Sequence, residues 1–127
     1  MTANTTPSFS VSDGIVTTDV GNTYSYATCI AIQDEGKILA GGSSSAGFEL
    51  VRYNADGSID TTFGGDGIVT TGVTYIPSND YAKCIVIQND GKIIVAGSIS
   101  GGCALIRYNI DGSLDTTFGI NGILLRQ

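Results

Sequence analysis

The sequence predicts an all-β fold, two four-stranded β-propeller blades in one chain, and three observations carry that prediction. A unit recurs at an offset of 55 residues, each copy divides into four short strands, and no segment shows the 3.6-residue periodicity of a capped helix.

The repeat comes first. Residues 26–67 align on residues 81–122 without a gap, and 26 of the 42 positions are identical, which marks a duplication. Ahead of each copy stands the segment Gly-Ile-Val-Thr-Thr, at 14–18 and 67–71, and a third version, Gly-Ile-Leu-Leu-Arg, lies at 122–126. The connection to the next copy is two residues longer the second time.

The first strand of the unit is expected over 26–33, matched by 81–88. Its alternation puts Ala27, Cys29 and Ala31 on one face and Ile30 and Ile32 on the other. A turn follows at Asp34-Glu35-Gly36 or Asn89-Asp90-Gly91, with glycine for the positive φ of a tight hairpin. The second strand, 37–43 or 92–98, is almost wholly apolar and suits burial on both faces. A Ser/Gly loop leads to the third strand, 48–54 or 103–109, and then to a turn at 54–58 or 109–113. A loop holding Asp60 and Phe63 precedes the fourth strand, 68–71, with its counterpart at 123–126.

Four hairpin-joined strands in tandem are the blade pattern of a propeller, and the small residues of the first strand suit the crowded position near its axis. A β-solenoid is the structural rival, but its repeats are shorter, roughly 20–30 residues. The chain divides into a polar N-terminal tail, 1–13, and a two-blade unit, 14–127. Blade 1 is expected over 26–71 and blade 2 over 81–126, with 15–18 as an exchanged or extra outer strand.

The motif Arg-Tyr-Asn-x-Asp-Gly-Ser-x-Asp-Thr-Thr-Phe-Gly, then Gly-Ile-Val-Thr-Thr, then Ala-x-x-Ile-x-Ile-Gln-x-x-Gly-Lys-Ile, resembles the delta-60 repeat family over residues 9–126. That resemblance implies a propeller-like fold and a bacterial-type origin. It implies no activity and no catalytic residues, because the family has no agreed biochemical function. Its members usually carry longer arrays.

Two blades cannot close a ring, since closed propellers have typically four to eight. About ten aliphatic side chains left bare, at roughly 1.5–3 kcal/mol each, would outweigh a typical stability of about 5–15 kcal/mol. The expected partner is therefore the chain itself, head to tail, with a six-blade trimer favoured over a dimer or tetramer. Three copies of the fourth strand are one more than two blades use, so strand 15–18 or 123–126 is expected to lock the ring. Removing residues 1–18 is expected to weaken assembly.

Composition narrows the function. The net charge is −6 and the six Lys and Arg residues are scattered, so no basic stripe serves a nucleic acid. No apolar run is long enough to span a bilayer, and no signal peptide is recognised, which points to a cytoplasmic or non-classically exported protein of undetermined compartment. The three cysteines lack paired spacing and read as buried free thiols.

With no histidine, Ser-His-Asp and Cys-His catalysis and His-based zinc sites fall away, and no phosphate-binding fingerprint occurs. The chain reads as a non-enzyme with no cofactor and no metal. Residues 54–60 and 109–115 hold alternating oxygen-bearing side chains, as a calcium loop does, but lack the distal glutamate and read as self-capped turns. Arg52 and Arg107, near Asp60 and Asp115, are expected to form a repeated structural ion pair.

Binding residues should lie where the copies differ, in the interblade connections and the loops between second and third strands. Asn22, Tyr24, Tyr75, Asn79 and Asp80 are the candidates, offering flat aromatic faces beside hydrogen-bonding groups, a combination suited to a glycan or a protein partner. The expected function is a non-enzymatic binding module presenting repeated sites. The alternative is a structural fragment of a longer array without a small ligand.

Overall fold

The computed structural model describes residues 8–21, 25–73, 81–99 and 102–126. Their strands form three antiparallel sheets. Blade 1 contains β3 (Tyr26–Ile32), β4 (Ile38–Ser44), β5 (Gly47–Tyr53) and β6 (Ile68–Thr71), hydrogen-bonded in that order. Blade 2 repeats it with β7 (Tyr81–Ile87), β8 (Ile93–Ile99), β9 (Gly102–Tyr108) and β10 (Ile123–Arg126). The strand bounds fall within a residue or so of those expected, because Gly- and Asx-rich turns separate the apolar runs.

Strands β6 and β10 each complete a blade of their own chain, so the surplus copy is the N-terminal one. It forms β2 (Ile15–Asp19), which pairs with β1 (Ser8–Ser12), a strand inside the segment that the sequence reads as a polar tail. Asp13 and Gly14 turn the hairpin with φ of 53° and 83°, the two positive values a type I′ turn needs. That Asp-Gly pair between Val11-Ser12 and Ile15-Val16 was the available sequence signal.

One face assignment is corrected. The pairing register shifts between Ala27 and Cys29, and again between Ala82 and Cys84. Ala27 stands opposite Gly42, and Cys29 opposite Gly41, so one extra residue moves Ala27 to the face of Ile30 and Ile32. Strict alternation placed it with Cys29. In blade 2 the result is visible as burial: Ala82 and Ile85 are both buried, while Cys84 is exposed.

The core lies between the blades. Leu39, Phe48, Leu50 and Phe63 on one face of blade 1 meet Ala82, Ile85, Ile93, Val95, Ile106 and Tyr108 of blade 2. We call the face of a blade that looks toward the preceding sequence its leading face, and the opposite one its trailing face. The core is therefore the trailing face of blade 1 against the leading face of blade 2. A Cβ on Gly41 would sit 2.8 Å from Ile85 Cδ1, so there the blade 2 side chain rests on bare backbone. Among the described residues, no helix is long and apolar enough to cross a membrane.

Candidate functional site: the blade junction and its two unmatched faces

The long loop before the outer strand of each blade is held by one buried carboxylate. Asp60 accepts from Lys37 Nζ at 2.8 Å, from Arg52 Nε at 2.9 Å and from Thr62 Oγ1 at 2.6 Å. Asp115 repeats the set with Lys92, Arg107 and Thr117 at 2.8, 2.9 and 2.6 Å. Burial alone would raise the Asp60 carboxyl, but the Lys37 and Thr62 hydrogen bonds and the nearby Arg52 charge hold it well below the usual carboxylate range. The Lys92 and Thr117 bonds do the same for Asp115 against its desolvation, with Arg107 adding to them. The expected Arg–Asp pairs thus exist, and each arginine also stacks on the loop phenylalanine, 4.5 Å from the Phe63 centroid and 4.6 Å from that of Phe118.

The calcium-like segments are turns. Asp56 Oδ1 accepts from Ser58 N and Oγ at 2.9 and 2.6 Å, and Gly57 has φ 92°. Asp111, Ser113 and Gly112 repeat this geometry. The side chain therefore satisfies its own backbone, as an Asx turn does.

Polar groups clamp the junction at several points. Arg52 Nη1 donates to Ile110 O at 2.6 Å, and Gly64 N to Asp111 O at 2.8 Å. Ala82 donates its N–H to Ser43 Oγ at 3.0 Å and accepts at its carbonyl from Thr28 Oγ1 at 2.5 Å. At the outer rim Thr71 Oγ1 and Tyr108 OH share a 2.7 Å hydrogen bond. Tyr108 is buried there, and desolvation pushes its phenol up to about 12 despite the Thr71 bond, with the Glu49 charge adding to the rise.

Among the described residues, no second four-stranded sheet stands against either outward face. On the leading face of blade 1, Ile30 is 66% and Ile32 63% exposed, whereas Ile85, the counterpart of Ile30, is 9% exposed. On the trailing face of blade 2, Val86 is 56% exposed, and Cys103 is exposed where its counterpart Phe48 is buried. Leu105 and Phe118 are only half-buried, while Leu50 and Phe63 are fully buried.

The arginines show the same asymmetry. Arg52 Nη1 reaches both Ile110 O and, at 3.5 Å, Gln33 Oε1. In blade 2, Arg107 keeps its Asp115 bond, but Gln88 Oε1, the counterpart of Gln33 Oε1, is buried without a hydrogen-bond partner among the described residues. The expectation of buried thiols is corrected on the same ground: Cys29 is half-covered and its thiol is pushed up chiefly by burial, whereas Cys84 and Cys103 are exposed where no blade covers them.

The five candidate ligand residues, Asn22, Tyr24, Tyr75, Asn79 and Asp80, lie outside the described residues. A groove of about 660 Å³ opens between the β3–β4 and β7–β8 turns. Gln33, Glu35, Lys37, Gln88 and Asn89 line it, and its size falls within the ~300–1,000 Å³ of small-molecule sites. Sequence comparison of the copies missed it, because its lining residues are largely shared between them.

Two antiparallel four-stranded sheets packed face to face on this scale define a β-propeller-like domain. A family described as "Domain of unknown function (DUF5122) beta-propeller" matches residues 33–63 and 88–118, the same stretch of both blades. No curated protein matches the chain.

Proposed function

We propose that the chain is a non-enzymatic binding and scaffold module of the delta-60 type, which closes into a propeller ring with further copies of itself. Three copies would give six blades. The trailing face of blade 2 would meet the leading face of blade 1 in the next copy, by the geometry of the internal junction.

One observation carries this reading: residues buried at the internal junction have more exposed counterparts on both outer faces, Ile30 for Ile85 on one, and Cys103, Leu105 and Phe118 for Phe48, Leu50 and Phe63 on the other. A docked copy would also offer Ala55 O to Arg107, as Ile110 O is offered to Arg52. Such a contact is heterologous and closes by rotation. Identical ligand sites repeated around the ring would raise a weak affinity for a glycan or protein surface.

The native mass tests the assembly. Light scattering at micromolar concentration should give three times the chain mass, and Val86→Glu or Ile30→Glu should return it to one. A full-length monomer that persists at hundreds of micromolar would overturn the reading. A glycan array and a pull-down with Tyr24→Ala and Tyr75→Ala test the ligand; rings without saturable binding would leave the purely structural alternative.

A further inference from the structure

The hairpin β1–β2 sits on blade 1 as the outer strands of blade 1 sit on blade 2. Thr18 Oγ1 and Tyr53 OH share a 2.5 Å hydrogen bond, repeating Thr71 and Tyr108 at the same positions of the unit. The register agrees as well: Phe9 stands opposite Thr18, as Phe48 stands opposite Thr71. The hairpin therefore has the pairing of the two outer strands of a blade, and among the described residues no inner strands accompany it.

The hairpin covers only part of the leading face. Under the hairpin, Val51 and Glu49 are 6% and 5% exposed, close to their counterparts Ile106 and Ala104 in the internal junction. Ile30 and Ile32 on β3 stay open, and a groove of about 260 Å³ lined by Thr18, Val20, Tyr26, Ala40 and Val51 lies between the hairpin and blade 1. A second copy docked in the internal geometry would bring its β9 and β10 to the seat that β1 and β2 hold. Close-packed sheets cannot share that volume.

We propose that the N-terminal hairpin is a displaceable cap on the leading face of blade 1, whose release sets the concentration at which copies assemble. This rests on the self-assembly reading above. The incoming sheet covers Ile30 and Ile32 as well as the Tyr53 rim, so exchange gains apolar burial that the hairpin cannot supply. The capped fraction lowers the apparent affinity in proportion. Strand 15–18 thereby acts against assembly, the opposite sign to a strand that locks a ring.

Sedimentation of the full chain, of Thr18→Val and of a chain lacking residues 1–19 tests it. Thr18→Val loosens the cap and leaves the docking residues untouched, so assembly should begin at about fivefold lower concentration, the worth of one neutral hydrogen bond. The truncated chain should assemble at least as readily as Thr18→Val. Hydrogen exchange at β2 should also speed up as the full chain assembles. If the full chain assembles and both variants assemble equally or less well, the cap is wrong and the ring reading stands. If all three remain monomeric at hundreds of micromolar, both fall.

Discussion

Ile30 and Ile85 occupy the same position of the repeat, yet one is 66% exposed and the other 9%. The same holds along the trailing faces, where Phe63 is fully buried and Phe118 half-buried. Strand position does not separate these pairs, since each member sits at the same place on the same strand or loop of the unit. What differs is whether another sheet stands against the face. Burial in a repeat architecture is thus a property of the contact between units, and stability divides into intrinsic and nearest-neighbour parts.

The comparison can be broken by truncating both members of a pair. Phe63→Ala should cost about 3–5 kcal/mol in urea unfolding of the monomer, as buried aromatics do. Phe118→Ala should cost less than half as much, and equal costs would contradict the asymmetry. The next effect tests the contact at Gly41. Gly41→Ala forces a Cβ to 2.8 Å from Ile85 Cδ1 and 2.9 Å from Cys29 Sγ, and should cost about 1–3 kcal/mol. Its counterpart is already alanine, Ala96, on the trailing face of blade 2, which no described sheet covers.

Arg52→Lys should cost about 1–2 kcal/mol through the lost bond to Ile110 O, and Arg107→Lys little, as measured by the same unfolding curves.

Two titrations sharpen the picture at smaller scale. Asp60 and Asp115 have folded pKa values held below those of the unfolded chain. The unfolded state therefore binds protons first as pH falls below about 4, and stability should drop from there downward. Asp60→Asn should flatten that acid slope. Tyr108 has the opposite sign, with a folded value of about 12 against an unfolded value near 10, so stability is lost as pH rises between the two. Tyr108→Phe should abolish that alkaline loss in pH-dependent unfolding, at a neutral-pH cost of about 1 kcal/mol for the Thr71 bond.

The functional surfaces were only partly legible. The Arg–Asp pairs were readable because both partners lie eight residues apart within one unit and recur in register. The Asx turns were readable for the same local reason. The groove beside Gln88 was not, because it forms between turns of two different blades, and comparing the copies searches only for what they do not share.

By itself the sequence determined the unit: its length, its four strands, the turns that set their register and the ion pair that pins its loop. These follow from period-2 patterning and turn chemistry within a few residues of chain. Only the tertiary structure decided which face of each blade is covered, where the bulge at Thr28 sends Ala27, and that strand 15–18 folds back with β1 onto its own blade 1. Those outcomes depend on which sheet stands against which, and a pattern shared at 26 of 42 positions gives both copies the same strands whether or not a neighbour covers them.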